Sequence, residues 1–105
     1  MEVIPNPDGL ESLWVVAPEF DADFEVYGAC PVEAVGTVCG RDFYFHARDD
    51  RWSFEVADSR GDLPTHTHPV EDGLLHEGNH ASASWMSHRE AVEIIIRCLQ
   101  EYTGL

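Results

Sequence analysis

Lysine is absent from this chain, and arginine supplies all 6 of its bases. Against them stand 20 acids, for a net charge of −14. A surface of that sign repels phosphates, so duplex DNA, RNA and anionic membranes are poor direct partners. No apolar run approaches the roughly 18 residues of a membrane helix. No Arg- or Lys-led apolar segment opens the sequence. The expectation is a protein without signal peptide or membrane span, located in the cytoplasm. Cysteine is scarce and odd in number: Cys30, Cys39 and Cys98 match no zinc or redox spacing. Cys98 falls in an apolar helical stripe and reads as a small core residue. The reduced state is expected, with a Cys30–Cys39 disulfide as the alternative. Signatures of nucleotide binding and of activated serine (G-x-G-x-x-G, the P-loop, G-x-S-x-G) are missing too.

What is present is enough for one core. The chain has 105 residues, 44% of them apolar. It reads as a single domain, 1–105, burying roughly two-thirds of its unfolded surface. The clearest pattern runs from Pro31 to Asp58. Pro31 to Cys39 reads as a strand, Gly40-Arg41 as a type II′ turn and Asp42 to Arg48 as a second strand. Asp49-Asp50 is the next turn, and Arg51 to Ala57 a third strand. A turn at Asp49-Asp50 pairs Arg48 with Arg51, Ala47 with Trp52, Phe45 with Phe54 and Phe43 with Val56. A turn at Gly40-Arg41 pairs Val38 with Phe43, Gly36 with Phe45 and Ala34 with Ala47. In that register every large apolar side chain shares one face, and a slip of one residue puts the aromatics in water.

The C-terminus carries the second pattern. Ser87-His88-Arg89-Glu90 is a capping box, with Met86 before it. Ala91, Ile94, Ile95, Cys98, Leu99 and Tyr102 follow at helical spacing, and Gly104 is a natural stop. The N-terminal third is ambiguous. Leu10, Leu13, Trp14 and Ala17 fit a short helix ended by Pro18, while Leu13 to Ala17 fits a strand equally well. Residues 23 to 28 look like a strand. Residues 59 to 85 read as a long polar loop. The expected class is α+β: an antiparallel meander of three to five strands on one C-terminal amphipathic helix, with a short N-terminal helix as an option.

The block Gly36-Thr37-Val38-x-Gly40-x-x-Phe43-Tyr44-Phe45-x-Ala47-Arg48-x-x-x-Trp52-Ser53-Phe54-x-Val56-Ala57 resembles a segment of small, uncharacterised bacterial proteins. Ala83-Ser84-Trp85-Met86, leading into the helix that ends at Tyr102, fits the same pattern. The resemblance spans about two-thirds of the chain. It implies that meander and helix form one unit, and it carries no activity and no site residue.

Two constellations bear on function. His76-Glu77-Gly78-Asn79-His80 matches H-E-x-x-H. On a helix the two histidines share a face and bind zinc, with Glu77 as the base for a bound water. His66 and His68 supply further ligands. Against this stand Gly73 and Gly78, each costing a helix about 1 kcal/mol. A solvated, histidine-bearing loop accounts for the same residues.

The second constellation is charge. Residues 1 to 40 hold eight acids (Glu2, Asp8, Glu11, Glu19, Asp21, Asp23, Glu25 and Glu33) and no base. Glu19, Asp21, Asp23 and Glu25 alternate with Phe20, Ala22 and Phe24. In an extended segment they form a row of carboxylates about 6.5–7 Å apart, a field that attracts basic surfaces.

The leading expectation is therefore a non-enzymatic acidic module without a cofactor. Its partner is a basic protein, such as a nucleic-acid-binding enzyme. In size and charge it is similar to nuclease-toxin immunity proteins, phage anti-CRISPR proteins and other DNA mimics. The alternatives are a small zinc protein or hydrolase on His76 and His80, and an accessory or oligomerisation domain with Val35 and Tyr44 on an exposed face.

Overall fold

The computed structural model describes residues 1–5, 12–28, 31–57, 74–79 and 83–104. Seven strands pair in sequence order into one antiparallel sheet: β1 (Glu2–Pro5), β2 (Ser12–Ala17), β3 (Ala22–Tyr27), β4 (Val32–Val38), β5 (Arg41–Arg48), β6 (Arg51–Val56) and β7 (Leu74–Asn79). One helix, α1 (His88–Thr103), follows, and single 3-10 turns lie at Pro18–Phe20 and Ala83–Trp85. The class is α+β with a meander, as the periodicity predicts, but the sheet has seven strands rather than three to five.

The two strands beyond five are β1, for which the sequence pattern gives no strand, and β7. The optional N-terminal helix does not form, because Ser12–Ala17 is β2. Leu13, Val15 and Ala17 alternate as well as they fit a helix. The strand wins because β1 and β3 pair it on both sides, satisfying its backbone from two directions. Likewise, residues 74–79 of the expected polar loop form β7. Among the described residues β7 pairs with β6 alone, so an apolar run was not required to build it.

The β5–β6 hairpin has the predicted register, from Arg48 opposite Arg51 to Phe43 opposite Val56. The β4–β5 hairpin differs by two residues: Val38 faces Arg41, Gly36 faces Phe43, and Ala34 faces Phe45. Its turn is Cys39-Gly40, with φ of 51° and 78°, rather than Gly40-Arg41. Two consecutive positive φ values make a type I′ turn, whose twist matches the strands. A shift of two keeps every side chain on its predicted face, so the pattern alone did not discriminate the registers.

The core lies on one side of the sheet. Val15, Phe24, Gly36, Phe43 and Val56 form one cross-strand row, and Leu13, Val26, Ala34, Phe45 and Phe54 the next. Phe24 meets Phe43 edge-on at 5.6 Å, and Phe43 lies 5.0 Å from Phe54. Helix α1 packs over β2, β3 and β4, and the Ala83–Trp85 turn over β4, β5 and β6. The helix buries Ala91, Val92, Ile95, Cys98 and Leu99. Each large side chain removed from water there contributes about 1.5–3 kcal/mol before entropy is counted. The predicted caps are present: Ser87 Oγ accepts from the Glu90 amide at 3.0 Å, and Gly104 closes the helix at φ 77°. The His88 ring nitrogen lies 2.8 Å from the Gly28 carbonyl, tying the start of α1 to the end of β3.

Candidate interaction surface

Side chains alternate along each strand, so the positions between the core residues form an outer face opposite α1. Its rows follow from the register. Glu2, Val16, Asp23, Thr37 and Asp42 make one row. Ile4, Trp14, Glu25, Val35, Tyr44, Glu55 and Leu75 occupy the next, crossing all seven strands. Ser12, Tyr27, Glu33, His46, Ser53 and Glu77 make the third. Arg48, Arg51 and Asn79 make a fourth row. Every strand except β2 therefore has an acid at an outer-face position, although that of β6, Glu55, is buried.

Several of these acids are held in place. Thr37 Oγ1 donates to Asp23 at 2.9 Å, and the Tyr44 hydroxyl donates to Glu33 at 2.5 Å. Burial, followed by the Glu33 hydrogen bond and charge, pushes the Tyr44 phenol well above its usual range. Tyr27 shifts the same way, through burial first and then the charges of Glu33 and Glu25. Both phenols are therefore protonated donors at neutral pH. Glu55 is buried beneath this face.

The predicted row of four acids is divided by the backbone. Asp23 and Glu25 project from the outer face of β3. Glu19 sits in the 3-10 turn before it and accepts from the amino terminus of Met1 at 2.9 Å. Asp21 takes a left-handed conformation, φ 52°, which ends that turn. The acids that share the face with them come from other strands: Glu2 on β1, in the row of Asp23 but beyond Val16, and Glu33 on β4, diagonal to Glu25. Glu2 and Glu33 escape a local reading because they are distant in sequence.

The zinc motif meets a different geometry. His76 and Glu77 lie in β7, where the backbone pairs them with Phe54 and Ser53. Zinc binding by H-E-x-x-H needs its histidines one helical turn apart, and a strand has no such turn. Gly78 lies against the Trp52 indole, where any Cβ would collide with the ring. His66, His68 and His80 lie outside the described residues. Among the described residues no group of three His, Cys, Asp or Glu side chains converges.

Two recesses flank the β6–β7 side. One, about 340 Å³, lies between α1 and the sheet and is lined by Trp52, Glu77, Ile94, Arg97, Cys98 and Glu101. Burial pushes the Cys98 thiol up to about 12, so it is protonated there and a poor nucleophile at neutral pH. The other, about 210 Å³, is lined by His46, Arg48, Arg51, Trp52, Ser53 and Glu77. Cys39 is a free, exposed thiol, and Cys30, its partner in the disulfide alternative, lies outside the described residues.

Comparison of the chain with protein-family models, with curated proteins and with solved structures finds no match. No described helix is long and apolar enough to cross a membrane.

Proposed function

We propose that the protein is a non-enzymatic acidic module that docks the outer face of its sheet on a basic protein. The partner chemistry this suits is a nucleic-acid-binding enzyme whose groove is built for phosphates. The module would occupy that groove and inhibit, in the manner of immunity proteins, anti-CRISPR proteins and DNA mimics. One observation carries the reading: Glu2, Asp23, Glu25 and Glu33 share the outer face of β1, β3 and β4, and residues 1–40 contain no base to neutralise them, the outer-face arginines Arg48 and Arg51 lying at the far end of β5 and β6. Regular strands fix the spacing of the acids, and the Thr37 and Tyr44 hydroxyls orient two of them. Pre-organised charge of this kind loses less entropy on binding and speeds encounter with a surface of opposite sign.

The test is a titration of the protein with a basic DNA-binding nuclease domain at low and high salt. The expected result is binding that weakens by at least about tenfold as salt screens the field, and that duplex DNA competes away. A D23N/E25Q/E33Q variant should lose most of the affinity. Affinity that ignores salt, or that survives the triple variant intact, would overturn the reading.

A further inference from the structure

We propose that Trp14 anchors this surface by receiving an arginine of the partner, with the guanidinium on the indole face and the Glu25 carboxylate beside it. The inference rests on the acidic-module reading and narrows it to one pair of side chains.

Among the described strands, β2 is the one without an acid at an outer-face position. Its outward positions are Ser12, Trp14 and Val16. It lies between β1, which contributes Glu2, and β3, which contributes Asp23 and Glu25. An apolar strip is therefore bordered on both sides by carboxylates. Trp14 is 42% exposed and Ile4, directly opposite it on β1, is 39% exposed. They are adjacent large apolar side chains left in water. Tryptophan is also the side chain that most often dominates a binding interface, as a rigid body with one polar edge.

The neighbours decide what it binds. Trp14 pairs with Glu25 on its other side. Cross-strand neighbours have Cβ atoms about 4.5–5.5 Å apart, so one cation reaches both the indole and the carboxylate. Glu2 is exposed and Glu25 half-buried, so an incoming charge can reach both. Tryptophan has the strongest cation–π face. A planar guanidinium stacks on it and forks to a carboxylate, which an ammonium cannot do as well. A second copy of this chain is disfavoured as the occupant, since each copy carries −14 and would bring the same acids to the contact.

The probes are an oligo-arginine peptide and the oligo-lysine peptide of the same length, titrated at low salt by ¹⁵N NMR and calorimetry. Oligo-arginine should bind more tightly and should shift the Trp14 indole N–H together with the Glu25 amide. W14A should weaken oligo-arginine by about tenfold, and W14F by less, because phenylalanine keeps a weaker π face. E25Q should weaken it as well, while W85A, at a residue 72% exposed on the Ala83–Trp85 turn, should not. The indole shift in the unmutated protein tests the contact even if W14A fails to fold. Salt-sensitive binding that is equal in the wild type, W14A and E25Q overturns the anchor and leaves the acidic-module reading standing. No binding of either peptide overturns both. Dimerisation abolished by W14A would give the face to a second copy, and so overturn the arginine assignment.

Discussion

Gly36 faces Phe24 across the β3–β4 ladder so closely that a Cβ on Gly36 would collide with both the Phe24 side chain and the Asp23 carbonyl oxygen. The absence of a side chain lets Phe24 and Phe43 meet edge-on over that position. G36A is therefore expected to cost about 3 kcal/mol, because backbone as well as side chain must move. Urea unfolding measures it. An unchanged midpoint would mean that β3 and β4 do not approach as described.

Tyr44 and Glu33 link β5 to β4 on the outer face. Y44F should lose about 1 kcal/mol at neutral pH, the ordinary worth of one partly exposed hydrogen bond. It should also alter the alkaline limb. The folded-state phenols of Tyr44 and Tyr27 titrate above their ordinary value of 10.0. Below that pH both states keep the proton and the contribution is whole. As pH rises above it, the unfolded chain ionises first, so stability falls. Thermal unfolding from pH 8 upward should show a shallower decline in Y44F than in the wild type.

Cys39 and Cys98 should react very differently. Cys39 is exposed in the β4–β5 turn, whereas Cys98 is 3% exposed and its thiol is pushed up to about 12 by burial. Alkylation followed by peptide mass mapping should label Cys39 in the native protein and Cys98 only after denaturant is added. Equal rates at the two positions would show that α1 is not seated on the sheet.

Ser87 caps α1 by accepting a hydrogen bond from the Glu90 amide. S87A should cost about 1 kcal/mol, and S87D should restore most of it, since aspartate accepts the same bond and complements the helix dipole. Chemical denaturation of the three proteins separates these outcomes.

G78A connects stability to the zinc motif. Its new methyl would meet the Trp52 ring, so the variant should unfold about 1–3 kcal/mol more easily. The loss should be the same with and without a chelator, because the glycine serves the packing of a strand edge. A loss seen only in the metal-loaded protein would favour the zinc reading.

Elements whose signals are local were legible before any tertiary contact was known. The β5–β6 register follows from the alternation of Phe43, Phe45 and Ala47 against Trp52, Phe54 and Val56. The helix follows from Ser87, Gly104 and the stripe between them. Charge of one sign in residues 1–40 was equally plain. Tertiary structure decided the rest. Leu13 to Ala17 fits a helix or a strand until β1 and β3 lie on either side to pair with it. Gly40 permits two turns, and a shift of two residues leaves both faces unchanged; the turn with Cys39 and Gly40 both at positive φ gives the register that forms. The histidine motif has the spacing of a helix, but its residues 76–79 lie in a strand, because β6 offers them a ladder. The proposed docking face shows the same dependence most clearly. Glu2, Trp14, Glu25 and Glu33 come from four strands, and only the pairing of those strands makes them neighbours.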